Sequence, residues 1–472
     1  MESRPVSRFT GLHVHFIGIG GCGMAGLARM LLDAGAVVSG SDLKPTVQTQ
    51  ALAYQGATIS YAQDGSLLNP GIDLVVRTAA IPDTNPEYRR ALALNLAQLK
   101  YAQLLGQVMQ ERLGIAISGT HGKSTTTSML SFALLQCGAD PSFVIGGTVP
   151  QLDGSSRSGQ GDAFVVEACE FDRSFHNYHP RVAVITNIEA DHLDCYPGGL
   201  PEIIQSFRHF AQLVPPSGTI IANGQDANVA AALRDIRAPI ETVAVFDPST
   251  GQSPPPATWL AMIKGHTRGQ YQADVLYQGR QVAELQLSLA GVHNVFNATA
   301  ALAACRVCNV DLQAAANAIG RFTGVDRRMA EVGRYNGAVI VDDYGHHPTE
   351  IKTTLRAARQ KYGPRRLICV FQPHQYSRTR YLLDDFATSF ADADLTILPE
   401  IYAARDSDQD LRSVSAGDLV GRIVNNGRNA VHLAKFPQIV EYLRQEARQG
   451  DLIITMGAGN VCDIGRQLVQ IR

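Results

Sequence analysis

The sequence predicts an α/β protein of three domains built on parallel sheets. Apolar segments such as HVHFIGIG, GIAISG, AFVVEA, RVAVITN, AVIVDD and RLICVFQ alternate with longer segments of helical periodicity. This alternation is typical of parallel strands joined by crossover helices. Two glycine-rich loops each follow such a strand and open a helix. A chain of 472 residues also exceeds what one hydrophobic core usually serves. We place the domains at residues 1–112, 113–324 and 325–472.

The composition indicates a cytoplasmic enzyme made of compact globular domains. Apolar residues make up 45% of the chain, and 41 basic against 43 acidic residues leave a net charge of −2. This balance favours neither nucleic acid nor an anionic membrane as a partner. The apolar run near the N-terminus is too short for a signal peptide, and no run reaches the roughly 20 residues of a membrane span. Eight cysteines without regular spacing predict no disulfide framework.

The first glycine loop, GIGGCG, matches the pattern GxGxxG at Gly18, Gly20 and Gly23. It follows the strand HVHFI and precedes the helical segment MAGLARMLLDAG, so its backbone N–H groups can meet a phosphate at a helix N-terminus. Asp42, at the end of the next strand, has the spacing of a ribose-binding acid. The ligand predicted here is NAD or another nucleotide diphosphate, and the loop alone suggests a dehydrogenase.

The second glycine loop, GTHGKSTTT, follows the strand GIAIS and is a phosphate loop with a shortened lead. Its backbone N–H groups would cradle phosphates, Lys123 would neutralise the transferring group, and Ser124 or Thr125 would offer a hydroxyl to Mg²⁺. Two nucleotide-type loops require two nucleotides, or one nucleotide cosubstrate and one nucleotide-tagged substrate. The second loop therefore weakens the dehydrogenase interpretation.

Two further segments carry candidate metal ligands. The strand FVVE ends in Glu167, and an acid that ends a strand near a phosphate loop typically binds Mg²⁺ or its water. Glu170 and Asp172 follow closely. His192 follows the strand VAVITN and is flanked by carboxylates, so it is a candidate to bind an ion or orient a substrate.

Taken together, the motifs resemble the Mur ligases of peptidoglycan synthesis over nearly the whole chain, from Gly18 to Asn460. They are GTHGKSTTT, EACEFD, TNIEADHLD, GVHNVFNATAALA, GVDRR, VDDYGHHPTE, FQPHQYSRTR and GAGN. HFIGIGGCGM and DDYGHHPTE make the chain most similar to the members that join L-alanine to UDP-N-acetylmuramate. The resemblance implies a Rossmann-like N-terminal domain for UDP, a central ATPase domain of the phosphate-loop type, and a Rossmann-like α/β C-terminal domain with the amino-acid site.

The resemblance also implies roles for individual residues, with ATP and Mg²⁺ as cofactors. The uridine nucleotide is assigned to Gly18, Gly20, Gly21, Gly23 and Met24, with Ser41 and Asp42 nearby. ATP phosphates are assigned to Gly119, Thr120, His121, Gly122, Lys123, Ser124 and Thr125, and magnesium to Ser124, Glu167 and His192. His293, Asn294 and Asn297 resemble adenine contacts, Arg327 would reach the phosphates, and Asp343 the ribose. His346, Arg378 and Arg380 would contact the substrate carboxylate and the amino acid. Lys123, His192, Arg327 and Arg378 would act in catalysis.

The chain departs from its relatives at three places. Cys169 and Phe171 stand where many relatives have polar residues beside the metal. Gln375 stands where relatives often have an arginine. Several Mur ligases also carboxylate a lysine after the histidine motif, and here no lysine occurs between His192 and Lys264.

The reaction implied by the resemblance is amide formation through an acyl phosphate made from ATP. One alternative is a recycling ligase of the same family, which attaches a preformed peptide to the same sugar nucleotide. An alternative of another class is a NAD-dependent oxidoreductase that uses the first glycine loop. A non-catalytic nucleotide sensor is disfavoured because Lys123, Glu167 and His192 are all present.

Overall fold

The computed structural model describes residues 6–78 and 80–470, which form three sheets in chain order. The first sheet has the strand order β3-β2-β1-β4-β5, and all its neighbouring strands are parallel. Its strands are β1 His13–Ile17, β2 Val37–Ser41, β3 Thr58–Ser60, β4 Leu74–Arg77 and β5 Gln98–Lys100. Its helices are α1 Cys22–Asp33, α2 Val47–Tyr54, α3 Pro86–Ala93 and α4 Tyr101–Met109.

The second sheet has ten strands in the order β15-β14-β13-β12-β11-β10-β6-β9-β7-β8. The strands are β6 Leu113–Ser118, β7 Ser142–Val149, β8 Gly154–Arg157, β9 Ala163–Glu167, β10 Val182–Ile185, β11 Thr219–Asn223, β12 Ile240–Phe246, β13 Trp259–Thr267, β14 Gln270–Tyr277 and β15 Arg280–Ala290. The helices are α5 Lys123–Gln136, α6 Leu200–Gln212, α7 Ala227–Ala232, α8 Val292–Val307 and α9 Leu312–Gly320. The central strands are parallel, whereas β8, β14 and β15 pair antiparallel at the two edges.

The third sheet has the order β16-β17-β21-β18-β19-β20, with only β16 antiparallel to its neighbour. Its strands are β16 Ala330–Tyr335, β17 Ala338–Asp343, β18 Arg366–Phe371, β19 Leu395–Leu398, β20 Ala430–His432 and β21 Asp451–Met456. Its helices are α10 Pro348–Tyr362, α11 Tyr376–Tyr381, α12 Leu383–Ala387, α13 Ala416–Asn425, α14 Phe436–Glu446 and α15 Cys462–Gln470. The predicted α/β class, with three domains and parallel sheets, is confirmed; the exact domain boundaries stay a prediction.

Antiparallel hairpins at the sheet edges were not predicted. Three of them turn through two-residue loops in which both residues have positive φ: Arg268-Gly269, Gln278-Gly279 and Asn336-Gly337. A two-residue turn with positive φ at both positions matches the right-handed twist of the flanking strands. Glycine at the second position lowers the conformational cost of the positive φ. The Asn-Gly pair is the strongest sequence indication of such a turn, and it lies within the third segment.

The first and second sheets share one hydrophobic core, which includes buried residues from Phe9 to Ala238. Helix α1 crosses β8 so closely that a Cβ on Gly26 would lie 2.6 Å from Cβ of Ser156. Glycine at this position therefore permits the helix behind the first glycine loop to dock on the middle sheet. Within residues 6–78 and 80–470, no helix has the length and apolarity needed to cross a bilayer.

Candidate active site

The phosphate loop lies between the end of β6 at Ser118 and the start of α5 at Lys123. Gly119 has φ +135°, and a Cβ there would lie 2.0 Å from Oγ1 of Thr186, so no other residue fits. Asn187, just after β10, accepts a bond of 2.8 Å from the His121 backbone N–H. The neighbouring parallel strand thus holds the loop in shape, as expected at the carboxyl edge of a sheet.

Lys123 forms a buried ion pair that its local motif does not predict. Its Nζ lies 2.9 Å from Glu170, and it also donates a 3.0 Å bond to the carbonyl of Thr120. Burial alone would lower the pKa of Lys123, but the Glu170 carboxylate raises it above its usual value. The lysine is therefore charged and tied to Glu170 at the base of the loop.

The candidate magnesium ligands lie next to this pair. Ser124 Oγ donates to Glu167 at 3.1 Å, and the backbone N–H of Gly146 donates to the other oxygen of Glu167 at 2.7 Å. Nε2 of His192 lies 3.8 Å from Glu170, and its Nδ1 is buried without a hydrogen-bond partner. A hydroxyl, a carboxylate and an unpartnered imidazole nitrogen fit a divalent cation. The structure brings Ser124 and Glu167 together and places His192 beside Glu170.

A cavity of about 830 Å³ opens between the middle segment, which forms the second sheet and its helices, and the third segment, which forms the third sheet and its helices. It is large enough for a nucleotide. The middle segment lines it with residues that include His121, Gly122, Ser124, Thr125, His293, Asn294 and Asn297. The third segment contributes residues that include Arg328, Met329, Asp343, Thr349 and Glu350. Lys123, Glu167, His192 and Arg327 lie outside this lining.

Asn294 and Asn297 lie on α8, which packs beside the phosphate loop. Asn294 donates to the carbonyl of Ala290 at 2.8 Å and accepts from Asn297 at 3.2 Å. Both bonds lie at the N-terminal end of α8, whose N-cap residue is Gly291. Burial lowers the pKa of the neighbouring His293 to about 4, so this end of the cavity presents neutral polar groups.

The two arginines of GVDRR face different surroundings. The guanidinium of Arg327 bonds Asp342 at 3.0 Å and the carbonyl of Gly457 at 2.7 Å, so it faces its own sheet. Arg328 instead lines the cavity and pairs with Glu350 at 3.3 Å. The phosphate role of Arg327 stays a prediction, and it would require release from Asp342.

Asp343, the predicted ribose ligand, ends β17 at the cavity wall. Its two oxygens accept the backbone N–H groups of Gly345 at 2.7 Å and Met329 at 2.8 Å. Burial raises the pKa of Asp343 to about 6, against the opposing effect of Arg328. The Asp343 carboxylate therefore already accepts two hydrogen bonds from within the protein.

The candidate amino-acid residues have two different environments. Arg378 is buried and donates to Asp191 at 2.9 Å from Nε and 2.8 Å from Nη2. His346 lies 4.0 Å from the same aspartate. Arg380 is 53% exposed and lies 3.6 Å from Asp410, so it faces outward. Gln375 is buried and donates to the carbonyl of Ala404 at 3.0 Å, which is a structural role that requires no charge.

Asp42 holds the first glycine loop in place, because its carboxylate accepts a hydrogen bond of 2.7 Å from the backbone N–H of Gly20. Ser41 is buried and donates its hydroxyl to Glu87, so it faces inward. A Cβ on Gly23 would lie 2.5 Å from the Tyr101 hydroxyl, which explains glycine at the start of α1. Met24 is buried in the shared core. Of these residues, the backbone of the loop and Asp42 are best placed to meet a ligand.

A polar contact that no sequence pattern predicts joins the middle and third segments. His121 lies 3.3 Å from Glu350 and 3.7 Å from Glu189, while Thr349 donates to Glu189 at 2.6 Å. Burial would lower the pKa of His121, but Glu350 and Glu189 raise it to about 9. Burial would raise the pKa of Glu189, but His121 and Thr349 lower it to about 2. The segments TNIEADHLD and HHPTE contain these residues, but nothing in either pattern indicates that they meet.

These features define a nucleotide-using enzyme in which a phosphate loop borders a cavity between two α/β segments. Three family models for Mur ligases match the chain: the catalytic domain over 13–113, the middle domain over 117–305 and the glutamate ligase domain over 327–459. The chain belongs to the Mur ligase family.

Relatives and solved structures agree with this assignment. The chain is 41% identical to the UDP-N-acetylmuramate–L-alanine ligase of Caldanaerobacter subterraneus subsp. tengcongensis over 97% of both chains. It is also 41% identical to the ligase of the same name from Acetivibrio thermocellus, over 97% of this chain and 96% of that one. The UDP-N-acetylmuramate–alanine ligase structure from Thermotoga maritima superposes with a TM-score of 0.76 at 25% identity, covering 97% of this chain and 98% of the other. A murein peptide ligase from Psychrobacter arcticus gives 0.68 at 30% identity, over 98% of each chain.

Proposed function

We propose that the protein joins L-alanine to the carboxylate of UDP-N-acetylmuramate at the expense of ATP, as a step in peptidoglycan precursor synthesis. The observation that carries this proposal is the 41% identity, over 97% of the chain, to ligases with that name. The phosphate loop and the adjoining 830 Å³ cavity provide a site in which ATP fits. A cytoplasmic location stays a prediction.

The proposed reaction has two steps. The substrate carboxylate attacks the γ-phosphorus of ATP, ADP leaves, and an acyl phosphate forms. The amine of L-alanine then attacks the acyl carbon, inorganic phosphate leaves with the bonding electrons, and the amine loses a proton. Catalysis of phosphoryl transfer is chiefly positioning and charge neutralisation, which suits Lys123 and the loop N–H groups.

Each segment has a proposed part in binding. The first glycine loop and Asp42 hold the UDP moiety, and the middle segment holds ATP. The third segment brings Arg378 and His346 to Asp191, where the acceptor amino acid would lie. Closing the cavity between the segments would exclude water, which would otherwise hydrolyse the acyl phosphate.

Magnesium is the proposed metal, with Ser124, Glu167 and His192 as its protein ligands. The donor set fits, because Ser124 and Glu167 are already hydrogen-bonded and the buried Nδ1 of His192 has no partner. When bound, Mg²⁺ would neutralise charge on the phosphates of ATP. The protein's part is to hold Glu167 in place through the Gly146 backbone N–H.

An assay of ADP release with UDP-N-acetylmuramate, L-alanine and Mg·ATP tests the function. We expect release that requires both substrates. The same assay with the preformed tripeptide in place of L-alanine distinguishes a recycling ligase, which would prefer the peptide. Turnover of NAD(H) without ATP would instead indicate an oxidoreductase and contradict the proposal.

A further inference from the structure

Two imidazoles and one carboxylate form a cluster where the middle segment meets the third. The residues are His121, Glu189 and His347, and their facing donor atoms all lie within 4.8 Å of one another. One oxygen of Glu189 lies 3.7 Å from Nε2 of His121 and 3.6 Å from Nδ1 of His347. A tetrahedral zinc ion, with bonds of about 2.0–2.1 Å, separates its ligand atoms by roughly 3.4 Å. Small side-chain movements would therefore bring all three donors into coordination.

The outer nitrogens of both rings already have partners of the kind that metal-bound histidines use. Nδ1 of His121 lies 3.3 Å from a carboxylate oxygen of Glu350. Nε2 of His347 lies 3.3 Å from the carbonyl oxygen of Ala190. Such bonds fix the orientation of the ring and raise the basicity of the nitrogen that faces the metal. Both rings are thus held with their inner nitrogens toward Glu189.

The inner nitrogen of His121 faces Glu189 at 3.7 Å, and this ion pair is its one contact with a polar group within the described residues. Nε2 of His121 is buried and has no hydrogen-bond partner. Nδ1 of His347 accepts only a long bond of 3.3 Å from the Thr349 backbone N–H, which a metal bond would replace. A buried polar atom without a partner costs free energy, and a cation would remove that cost.

From this geometry we infer that His121, Glu189 and His347 form a binding site for a divalent transition-metal cation of the zinc class. Two imidazole nitrogens and one carboxylate suit Zn²⁺ and its neighbours, whereas two of the three donors at the proposed magnesium site, Ser124 and Glu167, are oxygens. The cation would join the middle and third segments. Because the neighbouring carboxylates keep His121 protonated, cation binding must release that proton.

The site is separate from the proposed magnesium site, with which it shares no residue. Its entry is the nucleotide cavity, since His121 and Glu189 both line that cavity. The glutamate side chain is 32% exposed, so a hydrated ion can reach it. The inference does not rest on the proposed function, and its test needs no turnover.

The test is Co²⁺ binding by the full-length protein without nucleotide and with Mg²⁺ in excess. The visible absorption of Co²⁺ reports imidazole coordination, and Zn²⁺ competition gives the zinc affinity. We expect one such site in the wild-type protein, displaced by Zn²⁺. Both His347→Gln and Glu189→Gln should lower the affinity at least about 100-fold, because loss of even an outer partner costs about 10- to 100-fold.

Two control variants separate this site from other candidates. Glu167→Gln changes the magnesium site and should leave Co²⁺ binding intact. His209→Gln changes another close histidine pair, whose ring centroids lie 4.4 Å apart without a carboxylate ligand, and should also bind normally. Thermal unfolding without metal checks that each variant folds, and Zn²⁺ should raise the melting temperature of the wild type but not of His347→Gln. Binding that survives both ligand variants, or that is lost with Glu167→Gln, would overturn the inference.

Discussion

The guanidinium of Arg378 lies 2.8 Å from the carboxylate of Asp191, and both side chains are almost fully buried. The contact spans 187 positions of sequence and joins the third segment to the turn that carries His192. Burial alone would raise the pKa of the Asp191 carboxyl, but the positive charge of Arg378 holds this pKa well below its usual range. The ion pair therefore holds the third segment against the middle segment at the predicted amino-acid site.

Replacing Arg378 tests this contact. Arg378→Lys cannot reproduce both N–H bonds to Asp191, and we expect a loss of about 1.5–3 kcal/mol in the free energy of unfolding, with weaker use of L-alanine. The matched control is Arg380→Lys, because Arg380 is 53% exposed. Chemical unfolding and the KM for L-alanine measure the two effects. Equal losses in both variants would show that the buried pair has no special importance.

The Lys123–Glu170 pair predicts different effects on turnover and on stability. Lys123→Ala should lower kcat by about 100-fold or more, because the charge acts mainly in the transition state. It should also cost about 3–5 kcal/mol of stability, because Glu170 remains buried without its cation. Adding Glu170→Gln should restore much of the stability but not the turnover. Near-normal kcat in Lys123→Ala would exclude the proposed ATP role.

The first glycine loop has a steric limit at Gly20. A methyl group there would lie 2.7 Å from Oδ2 of Asp42 and 3.0 Å from Thr49. Gly20→Ala should therefore move Asp42 and raise the KM for UDP-N-acetylmuramate far more than the KM for ATP, and Gly20→Val more strongly still. Gly421→Ala is a suitable control, because no heavy atom lies within 4 Å of the added Cβ. Similar changes in both KM values would contradict a UDP site here.

The candidate metal site predicts how activity depends on magnesium. Glu167→Ala should raise the Mg²⁺ concentration needed for half-maximal activity, because it removes the carboxylate that Ser124 and Gly146 position. His192→Ala should impair acyl-phosphate formation more than ATP binding. The nearby exposed acid Asp172, changed to asparagine, should have little effect.

Bicarbonate should not change the rate, since no lysine between His192 and Lys264 is available for carboxylation. A rate that rises with bicarbonate would show that a carboxylated lysine elsewhere contributes to the site. Rates with and without added bicarbonate, after removal of dissolved carbon dioxide, measure this directly.

The contact of His121 with Glu189 and Glu350 predicts a dependence of stability on pH. The pKa of His121 is raised from 6.5 to about 9, so its contribution is complete below pH 6.5 and is lost as the pH rises through 9. The pKa of Glu189 is lowered from 4.5 to about 2, so its contribution is complete above pH 4.5 and is lost toward pH 2. In metal-free buffer, the melting temperature of the wild type should be higher than that of His121→Asn. This difference should be largest at about pH 6 and smallest above about pH 9. A constant difference across that range would contradict the assignment.

The sequence by itself determined the α/β class, the two glycine loops and the position of Glu167 at a strand end, whereas His192 lies in a turn seven residues after β10. These features depend on local patterns, since a glycine loop between a strand and a helix specifies its own backbone. The parallel strands then bring such loops to one edge of a sheet. The turn residues Asn336-Gly337 also indicate one of the edge hairpins, because Asn-Gly favours a two-residue turn with positive φ.

Only the tertiary structure decided which charged groups meet. Arg327 and Arg328 are adjacent and have the same side chain, but Arg327 bonds Asp342 whereas Arg328 lines the cavity. Lys123 meets Glu170 across 47 residues, and His121 meets Glu350 across the boundary between two segments. No local pattern encodes these pairs, because the packing of whole sheets sets the distance between residues far apart in sequence. The partners of the buried charges, and with them their pKa values, follow from that packing.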